Sequence, residues 1–362
     1  MFKEYNPIKD KILRIIDNEG KVINKEWKPN VDDTIVLKAY KDMLFARTAD
    51  IMAVSFQRQG RMFTYPPNYG QEAVSGALAQ VIKEEDWLVP AFRELGAWLA
   101  KGATMKDLFL YFKGNEEGTA FRNAKKLLPI SVPIASQLLH AVGIGYSINY
   151  KNEKDVVYVF VGDGGTSEGD FHEALNLASV WKVPVIFIVQ NNQFAISVPV
   201  NKQMASENIA MKSIAYGMPG IKVDGNDFFA MYAALDFSQE YARSGKGPVI
   251  IEALTYRAGA HTTSDDPTKY RTKKEEEFWA KTDPMKRLGL YLKEKNLMSD
   301  NEELNLIAQY KKDIDRQFDE AEKAPESKLE DVFKYMYAEM PDDLRLQQME
   351  YEKFLKWKES NL

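Results

Sequence analysis

Short apolar runs alternate with amphipathic stretches through the middle of the chain. Three of these runs, at 156–161, 183–189 and 248–254, are rich in Val and Ile and have the length of one buried strand. Strands that alternate with helices in this way predict an α/β fold with a doubly wound parallel sheet. The full pattern predicts strands at 87–89, 156–161, 183–189, 221–223 and 248–254, and helices at 33–59, 71–81, 93–101, 104–112, 134–150, 168–182, 206–216 and 227–243.

The two flanks of this region have a different character. Residues 1–30 are charged and lack periodicity, so we interpret them as an N-terminal arm. After residue 275 the sequence is charged, with helical patterns and no strand pattern. We therefore predict three parts, which are the arm at 1–30, an α/β domain at 31–275 and a C-terminal helical extension at 276–362.

Composition and charge narrow the class of protein. A chain of 362 residues, of which 45% are hydrophobic, can bury a large core. A net charge of −5 gives no reason to expect nucleic acid or an anionic membrane surface as a partner. The absence of cysteine excludes disulfides, zinc–thiolate sites and thiolate catalysis. No apolar run approaches the roughly 18 residues of a membrane span, and the N-terminus lacks a hydrophobic signal segment, so we expect a cytoplasmic enzyme.

Oxygen-bearing side chains follow two successive predicted strands. Asp163 follows the run at 156–161, Asn192 follows the run at 183–189, and one predicted helix lies between them. The carboxyl ends of neighbouring parallel strands lie at one edge of a sheet, so both side chains can bind the same hard cation. The backbone carbonyl of Phe194 can add a third oxygen. This set predicts a magnesium ion that is shared with phosphate oxygens.

The glycines beside Asp163 add a second feature. Gly164 and Gly165 let the backbone approach a phosphate closely, and the N-terminus of the next helix favours an anion. The alternative is an ordinary strand-to-helix turn followed by an ordinary loop. Because an amide oxygen follows the next strand as well, we favour a metal-bound diphosphate.

The same segment, with several others, resembles a known family. From residue 35 to 345 the chain is similar to the alpha subunits of the thiamine-diphosphate-dependent 2-oxo acid dehydrogenases. The stretches that carry the resemblance are FRE (92–94), LPISVPI (128–134), GDGGTSEGDFHEALNLAS (162–179), QNNQFAIS (190–197), VDGND (223–227), GPVIIEALTYR (247–257) and AGAHTTSDDPTKYR (258–271).

The resemblance implies how the chain binds thiamine diphosphate and Mg²⁺. Arg93, preceded by Phe92, would donate hydrogen bonds to diphosphate oxygens. The carbonyl of Val132 and the amide of Ile134 would hold the pyrimidine ring, and the Ile134 side chain would brace the bent cofactor. Without the resemblance, Arg93 would be interpreted as a surface salt-bridge residue and Ile134 as a core residue.

A polar loop at 258–273 supplies further candidate residues. A histidine in a glycine-containing loop is more often functional than one on a helix face, which favours a role for His261. The resemblance implies that His261 and Arg257 are catalytic and that His261 lies over the thiazolium ring. It also implies that Tyr270 and Arg271 close the loop.

Four other positions bear on specificity and on departures from the family. Thr262 stands where some relatives carry a phosphorylated serine, so we infer no regulation there. Gln190 stands where some relatives carry a phosphate-binding arginine. We expect Phe63 and Tyr65, from the aromatic loop at 61–70, in the substrate pocket.

The resemblance also implies a reaction and partners. The chain would be an alpha subunit that decarboxylates a 2-oxo acid and reductively acylates a lipoyl group on a partner acyltransferase. Pyruvate is the expected substrate, with a branched-chain 2-oxo acid or acetoin as alternatives. No pyrimidine-activating glutamate can be assigned here, and in the family it comes from a beta subunit. We therefore expect an α2β2 heterotetramer, docked on the acyltransferase core, and no activity from the chain alone.

Two function classes outside this family are the competing interpretations. A dinucleotide-binding oxidoreductase would carry G-x-G-x-x-G after a strand, and Ser167 stands where the third glycine would be. A non-catalytic binding module would not need the complete set of candidate ligands and catalytic residues. Both alternatives are therefore disfavoured.

Overall fold

A six-stranded parallel sheet runs through the chain. The computed structural model describes residues 1–325 and 328–361. The strands are β1 (Ile12–Leu13), β2 (Trp87–Val89), β3 (Val157–Gly162), β4 (Val185–Asn191), β5 (Phe194–Ala195), β6 (Val198–Pro199), β7 (Gly220–Asp224) and β8 (Val249–Leu254). The sheet order is β1-β7-β8-β4-β3-β2 with every neighbour parallel, and β5 and β6 form a separate antiparallel pair. The predicted α/β class with a parallel sheet is confirmed.

Helices occupy the segments between the strands and most of the C-terminal part. Thr104 caps the helix that begins at Met105, and its side chain accepts a hydrogen bond from Asp107 N at 3.2 Å. The helices are α1 (Asp33–Arg58), α2 (Glu72–Leu78), α3 (Leu95–Ala100), α4 (Met105–Phe112), α5 (Ser136–Tyr150), α6 (Gly169–Trp181), α7 (Val200–Gln203), α8 (Lys212–Ala215), α9 (Phe228–Tyr241), α10 (Lys273–Ala280), α11 (Pro284–Glu294), α12 (Asp300–Glu322), α13 (Leu329–Lys334) and α14 (Asp342–Asn361).

Helices cover both faces of the sheet, which is why its central strands are apolar throughout. Successive residues of a strand point to opposite faces. Val157 and Val159 of β3 join a cluster with α5 and α6, whereas Tyr158 and Phe160 join a larger cluster with α1, α2 and α9. The sheet is therefore buried on both sides, and only its edges and strand ends are available for a site.

The N-terminal segment is not a separate arm, which corrects our interpretation of residues 1–30. Ile12–Leu13 forms the edge strand β1 beside β7. The backbone N–H groups of Ile15 and Ile16 both donate to one carboxylate oxygen of Asp227, at 2.6 and 2.8 Å. A strand of two residues is too short to leave a periodic signal, so the sequence pattern missed it.

The helix predicted at 206–216 is wrong for most of its length, since only Lys212–Ala215 is α-helical. The buried carboxylate of Glu252 on β8 explains the difference. It accepts hydrogen bonds from the backbone N–H groups of Ile209 and Ala210, at 2.8 and 2.9 Å. Because these two N–H groups donate to a side chain of β8, this part of the chain forms a loop instead of a helix.

The start of α5 also differs from the prediction. The helix begins at Ser136, and Ala135 has a left-handed φ of 67°, so Ile134 lies in the preceding loop. Gly145 of α5 packs closely against the segment that leads into β4. A Cβ at this position would lie 2.9 Å from both Val183 and Val185. Within the described residues, no helix is both long enough and apolar enough to cross a membrane.

Candidate active site

A cavity of about 580 Å³ opens at the carboxyl ends of β2, β3, β4 and β8. Ligands bind at this edge of open α/β sheets. The strand ends and the loops around 61–66 and 131–135 line the cavity. Among the residues predicted from the sequence, those in its wall are Phe63, Phe92, Arg93, Val132, Ile134, Asp163, Gly164, Gly165, Asn192, Phe194, Arg257 and His261.

Asp163 and Asn192 meet at the floor of this cavity. The backbone N–H of Asn192 donates to Asp163 Oδ1 at 3.2 Å. The other carboxylate oxygen, Oδ2, is buried and has no hydrogen-bond partner among the residues that the structure describes. Burial raises the pKa of Asp163 to about 6, against the effect of the backbone hydrogen bonds. A buried carboxylate oxygen without a partner needs a cation or a proton, so this atom fits a metal ligand.

The protein alone does not offer a complete cage for a metal. No group of three or more His, Cys, Asp or Glu side chains that could hold an ion occurs in the described part of the chain. The oxygens predicted from the sequence as ligands are the carboxylate of Asp163, the amide of Asn192 and the carbonyl of Phe194, and all three residues line the cavity. Magnesium is commonly bound by one or two carboxylates together with waters and phosphate, and this sparse set suits that arrangement.

The two glycines after Asp163 leave no room for side chains. A Cβ at Gly164 would lie 2.7 Å from the Cβ of Ala195, and one at Gly165 would lie 2.5 Å from Val161 and 3.2 Å from Ile134. The turn at Gly164–Ser167 thus brings bare backbone to the cavity wall. Backbone of this kind can approach a phosphate closely.

Arg93 and His261 form a second group on the cavity wall. Arg93 is buried, and its guanidinium donates to the carbonyl oxygens of Pro67 and His261, the latter at 2.8 Å. The same guanidinium lies 3.3 Å from His261 Nδ1. Burial is the largest cause that lowers the pKa of Arg93, to about 10. Among the residues that the structure describes, the acceptors of this buried guanidinium are carbonyls and an imidazole, so it can still gain an anionic partner.

His261 is neutral in this environment. Burial, and after it the positive charges of Arg93 and Arg257, lower the pKa of His261 to about 4. A guanidinium can only donate, so Nδ1 of His261 accepts and its proton is on Nε2. The backbone N–H of His261 donates to Asp265 at 2.8 Å, which fixes this part of the loop. His261 can therefore offer an N–H donor at physiological pH without carrying charge.

Arg257 links three segments around the cavity. Its guanidinium donates to the carbonyls of Phe194 and Ile196 and to the hydroxyl of Tyr270, the last at 2.9 Å. Its own carbonyl accepts a hydrogen bond from Arg271. Tyr270 and Arg271, which were expected to close the loop that carries His261, are thus both hydrogen-bonded to Arg257. In this arrangement Arg257 holds the segment that carries the Phe194 carbonyl.

Tyr65 does not line the cavity, contrary to our expectation for the substrate pocket. Its side chain is buried, and its hydroxyl donates to Asp50 at 2.8 Å. Asp50 is fully buried and also accepts hydrogen bonds from the backbone N–H groups of Asn68 and Tyr69. The ring of Tyr65 therefore supports the loop from inside, while Phe63 lies at the cavity mouth and is 68% exposed.

Sequence reasoning missed several polar residues of the cavity wall. Gln71 and Gln137 fall in or beside helices, where periodicity does not distinguish a lining residue from a core residue. Glu94 was part of the stretch FRE (92–94) but was given no role, yet burial raises its pKa to about 7. Gln190 donates to Glu94 at 3.0 Å, and its own Oε1 is buried without a partner in the described segments. Gln190, which replaces the arginine of some relatives, is thus hydrogen-bonded to Glu94 in the cavity wall.

Comparison with known proteins identifies the family. The family model of the dehydrogenase E1 component matches residues 40–330. The chain therefore belongs to the dehydrogenase E1 component family.

Individual relatives are similar over most of the chain. The pyruvate dehydrogenase E1 component subunit alpha of Acholeplasma laidlawii is 42% identical over 341 residues, which are 94% of this chain and 99% of that protein. The subunit of the same name in Bacillus subtilis is 37% identical over 348 residues, 95% of this chain and 94% of that protein. The 3-methyl-2-oxobutanoate dehydrogenase subunit alpha of Mycobacterium tuberculosis is 44% identical over 308 residues, 85% of this chain and 84% of that protein.

Proposed function

We propose that this chain is the alpha subunit of a pyruvate dehydrogenase that uses thiamine diphosphate and Mg²⁺. The observation that carries the proposal is the unpartnered buried oxygen of Asp163, which lies beside Asn192 and a glycine turn at the strand ends. The names of relatives that align over 94% or more of the chain support pyruvate as the substrate. We further propose residues 31–275 as the unit that binds the diphosphate.

The cavity residues fit a metal-bound diphosphate. Asp163 would supply the charged ligand, and Asn192 and the carbonyl of Phe194 would supply neutral oxygens. The backbone at Gly164 and Gly165 would approach the phosphates. Arg93, whose guanidinium reaches the same cavity, would donate to phosphate oxygens.

The remaining cavity residues have roles at the reacting centre. When bound, thiamine diphosphate supplies a carbon nucleophile for the 2-oxo acid carbonyl and accepts the electrons left by loss of CO2. The neutral His261 would donate a hydrogen bond from Nε2 to a developing oxyanion. Ile134, which is 49% exposed at the cavity wall, would limit the conformations of the cofactor there.

The apolar rim of the cavity supports a partner subunit. Phe63, Val132, Ile134 and Ile196 line the opening and are all at least 49% exposed. Clustered exposed apolar side chains mark interaction surfaces. We propose that a beta subunit covers this rim, completes the site with a pyrimidine-activating carboxylate and forms an α2β2 heterotetramer. Its lipoyl substrate would be presented by an acyltransferase core.

Aromatic residues at the cavity mouth support a small substrate. Phe63, Tyr111 and Phe112 line this side, and the ring of Phe63 packs against Gly114. The Mycobacterium tuberculosis relative makes a branched-chain 2-oxo acid the second candidate. The loss of bulk in Phe63→Ala would favour that larger substrate.

The test compares substrates on the chain reconstituted with the beta subunit of its own organism. An artificial electron acceptor reports oxidative decarboxylation of pyruvate or of 3-methyl-2-oxobutanoate, and oxidative C–C cleavage of acetoin, which carries no carboxylate to lose. We expect kcat/KM for pyruvate to exceed that for the branched acid by about tenfold or more, since a few methylene groups are worth that much in a fitted pocket. Phe63→Ala should lower the ratio of kcat/KM for pyruvate to kcat/KM for the branched acid. A wild-type preference for the branched acid or acetoin would contradict the assignment of pyruvate.

A further inference from the structure

We propose that Gln71 is a positioning residue that orients the amide of Asn192 toward the metal. The inference rests on the proposed metal-bound diphosphate. An asparagine amide has an oxygen at one end and a nitrogen at the other, and only the oxygen can bind a cation. Asn192 is therefore a competent ligand only if its surroundings fix which end faces the ion. Gln71 and Phe194 contact the two ends.

The hydrogen bonds of Asn192 define its orientation. Its Nδ2 donates to Gln71 Oε1 at 3.3 Å, and its Oδ1 accepts from Phe194 N at 3.4 Å. Its backbone N–H donates to Asp163. The amide nitrogen thereby faces Gln71, and the amide oxygen faces the backbone N–H of Phe194. Groups that fix a metal ligand from behind tune its affinity for the metal.

Burial of Gln71 argues against a purely structural role. The residue is 2% exposed, and its Nε2 has no partner among residues 1–325 and 328–361. A buried amide nitrogen without a hydrogen bond destabilises the folded state. Gln71 is thus a poor choice for stability alone, and its side-chain hydrogen bond is the one to Asn192. An apolar side chain of similar size would remove the unpartnered nitrogen.

The backbone fixes where Gln71 stands. Gly70, directly before it, has a φ of +97°, and a Cβ there would lie 2.5 Å from the carbonyl oxygen of Tyr256. The carbonyl of Gly70 accepts a hydrogen bond from the Thr255 hydroxyl at 2.9 Å. This close contact joins the start of α2 to the end of β8. Gln71, the residue before α2, consequently reaches Asn192 from backbone that is held against the segment after β8.

The experiment uses two substitutions in the enzyme reconstituted with its beta subunit. Gln71→Leu removes the acceptor for Asn192 Nδ2, whereas Gln71→Glu keeps a side-chain oxygen in its place. Gln80→Leu is the matched control, because Gln80 follows the same helix and bonds Asp42 instead. Calorimetric titration of Mg²⁺ at saturating thiamine diphosphate gives the metal affinity of each variant. Thermal unfolding without cofactor reports stability.

We expect Gln71→Leu to weaken Mg²⁺ binding by about 10- to 100-fold, the usual effect of losing a group behind a metal ligand. Its unfolding temperature without cofactor should change little, because the substitution removes the unpartnered Gln71 Nε2 but leaves Asn192 Nδ2 without its acceptor. Gln71→Glu should restore most of the affinity, and Gln80→Leu should match wild type. The inference is overturned if Gln71→Leu stays within about twofold of wild type, or if Gln71→Glu loses as much as Gln71→Leu. Absence of Mg²⁺-dependent binding in the wild type would instead overturn the proposed function.

Discussion

Replacing Asp163 with asparagine should stabilise the cofactor-free protein while removing the charged ligand of the proposed metal site. Burial raises the pKa of Asp163 from the ordinary 3.8 to about 6. That difference corresponds to about 3 kcal/mol for holding the carboxylate ionised. The substituted side chain would keep the hydrogen bond from Asn192 N and leave its other end unpartnered, as in the wild type. The comparison therefore isolates the charge.

The stabilisation by Asp163→Asn should increase as the pH rises. Because the folded-state pKa lies above the unfolded one, the contribution of Asp163 to stability is fully present below pH 3.8 and is lost as pH rises through about 6. The amide that replaces the carboxylate does not titrate. The free energy of unfolding of Asp163→Asn should therefore exceed that of the wild type by an amount that grows between these values and reaches about 3 kcal/mol above them.

Urea unfolding of the cofactor-free protein at a series of pH values measures this difference. Asp170→Asn is the control, because Asp170 lies in the first turn of the following helix and outside the cavity wall. Added Mg²⁺ and thiamine diphosphate should raise the free energy of unfolding of the wild type and of the control, but not that of Asp163→Asn. A difference between Asp163→Asn and wild type that does not vary with pH would refute the reasoning.

Three further changes test other parts of the site. Arg93→Gln should raise the pKa of His261 above about 4, although burial, the largest cause of its lowering, should still hold it below 6.5; the pH dependence of its acylation with diethylpyrocarbonate measures this, and an unchanged pKa would exclude Arg93 as a cause. Ile134→Ala should lower turnover of the reconstituted enzyme yet leave urea unfolding unchanged, since this side chain is half exposed. Gly165→Ala should cost about 1–3 kcal/mol in urea unfolding and weaken cofactor binding in calorimetry, because its Cβ would overlap Val161.

The sequence was most informative where a strand run led directly into a polar turn. The prediction of a strand at 87–89 is confirmed residue for residue, and the runs that became β3, β4 and β8 were shifted by two residues or fewer. Because those strands are parallel neighbours, the meeting of Asp163 and Asn192 followed from their positions alone. The role of this pair as metal ligands stays a prediction.

Long-range contacts account for what the sequence could not predict. The loop at 208–211 is organised by Glu252 on β8, and the short strand β1 is anchored by Asp227, which is far away in the chain. Tyr65 turns inward because Asp50 offers a buried acceptor. Gln71 lies in no recognised motif, and its contact with Asn192 depends on how the segment before α2 packs against the segment after β4. Local periodicity contains no information about such partners.

The proposed function requires that this chain contribute one half of a thiamine diphosphate site. The direct measurement is 2-oxo acid decarboxylation by the purified chain, with and without its beta subunit, in the presence of Mg²⁺, thiamine diphosphate and an artificial electron acceptor. We predict no turnover of pyruvate by the chain alone and turnover once the beta subunit is added. Robust turnover by the chain alone would mean that it holds a complete site, which would contradict the account.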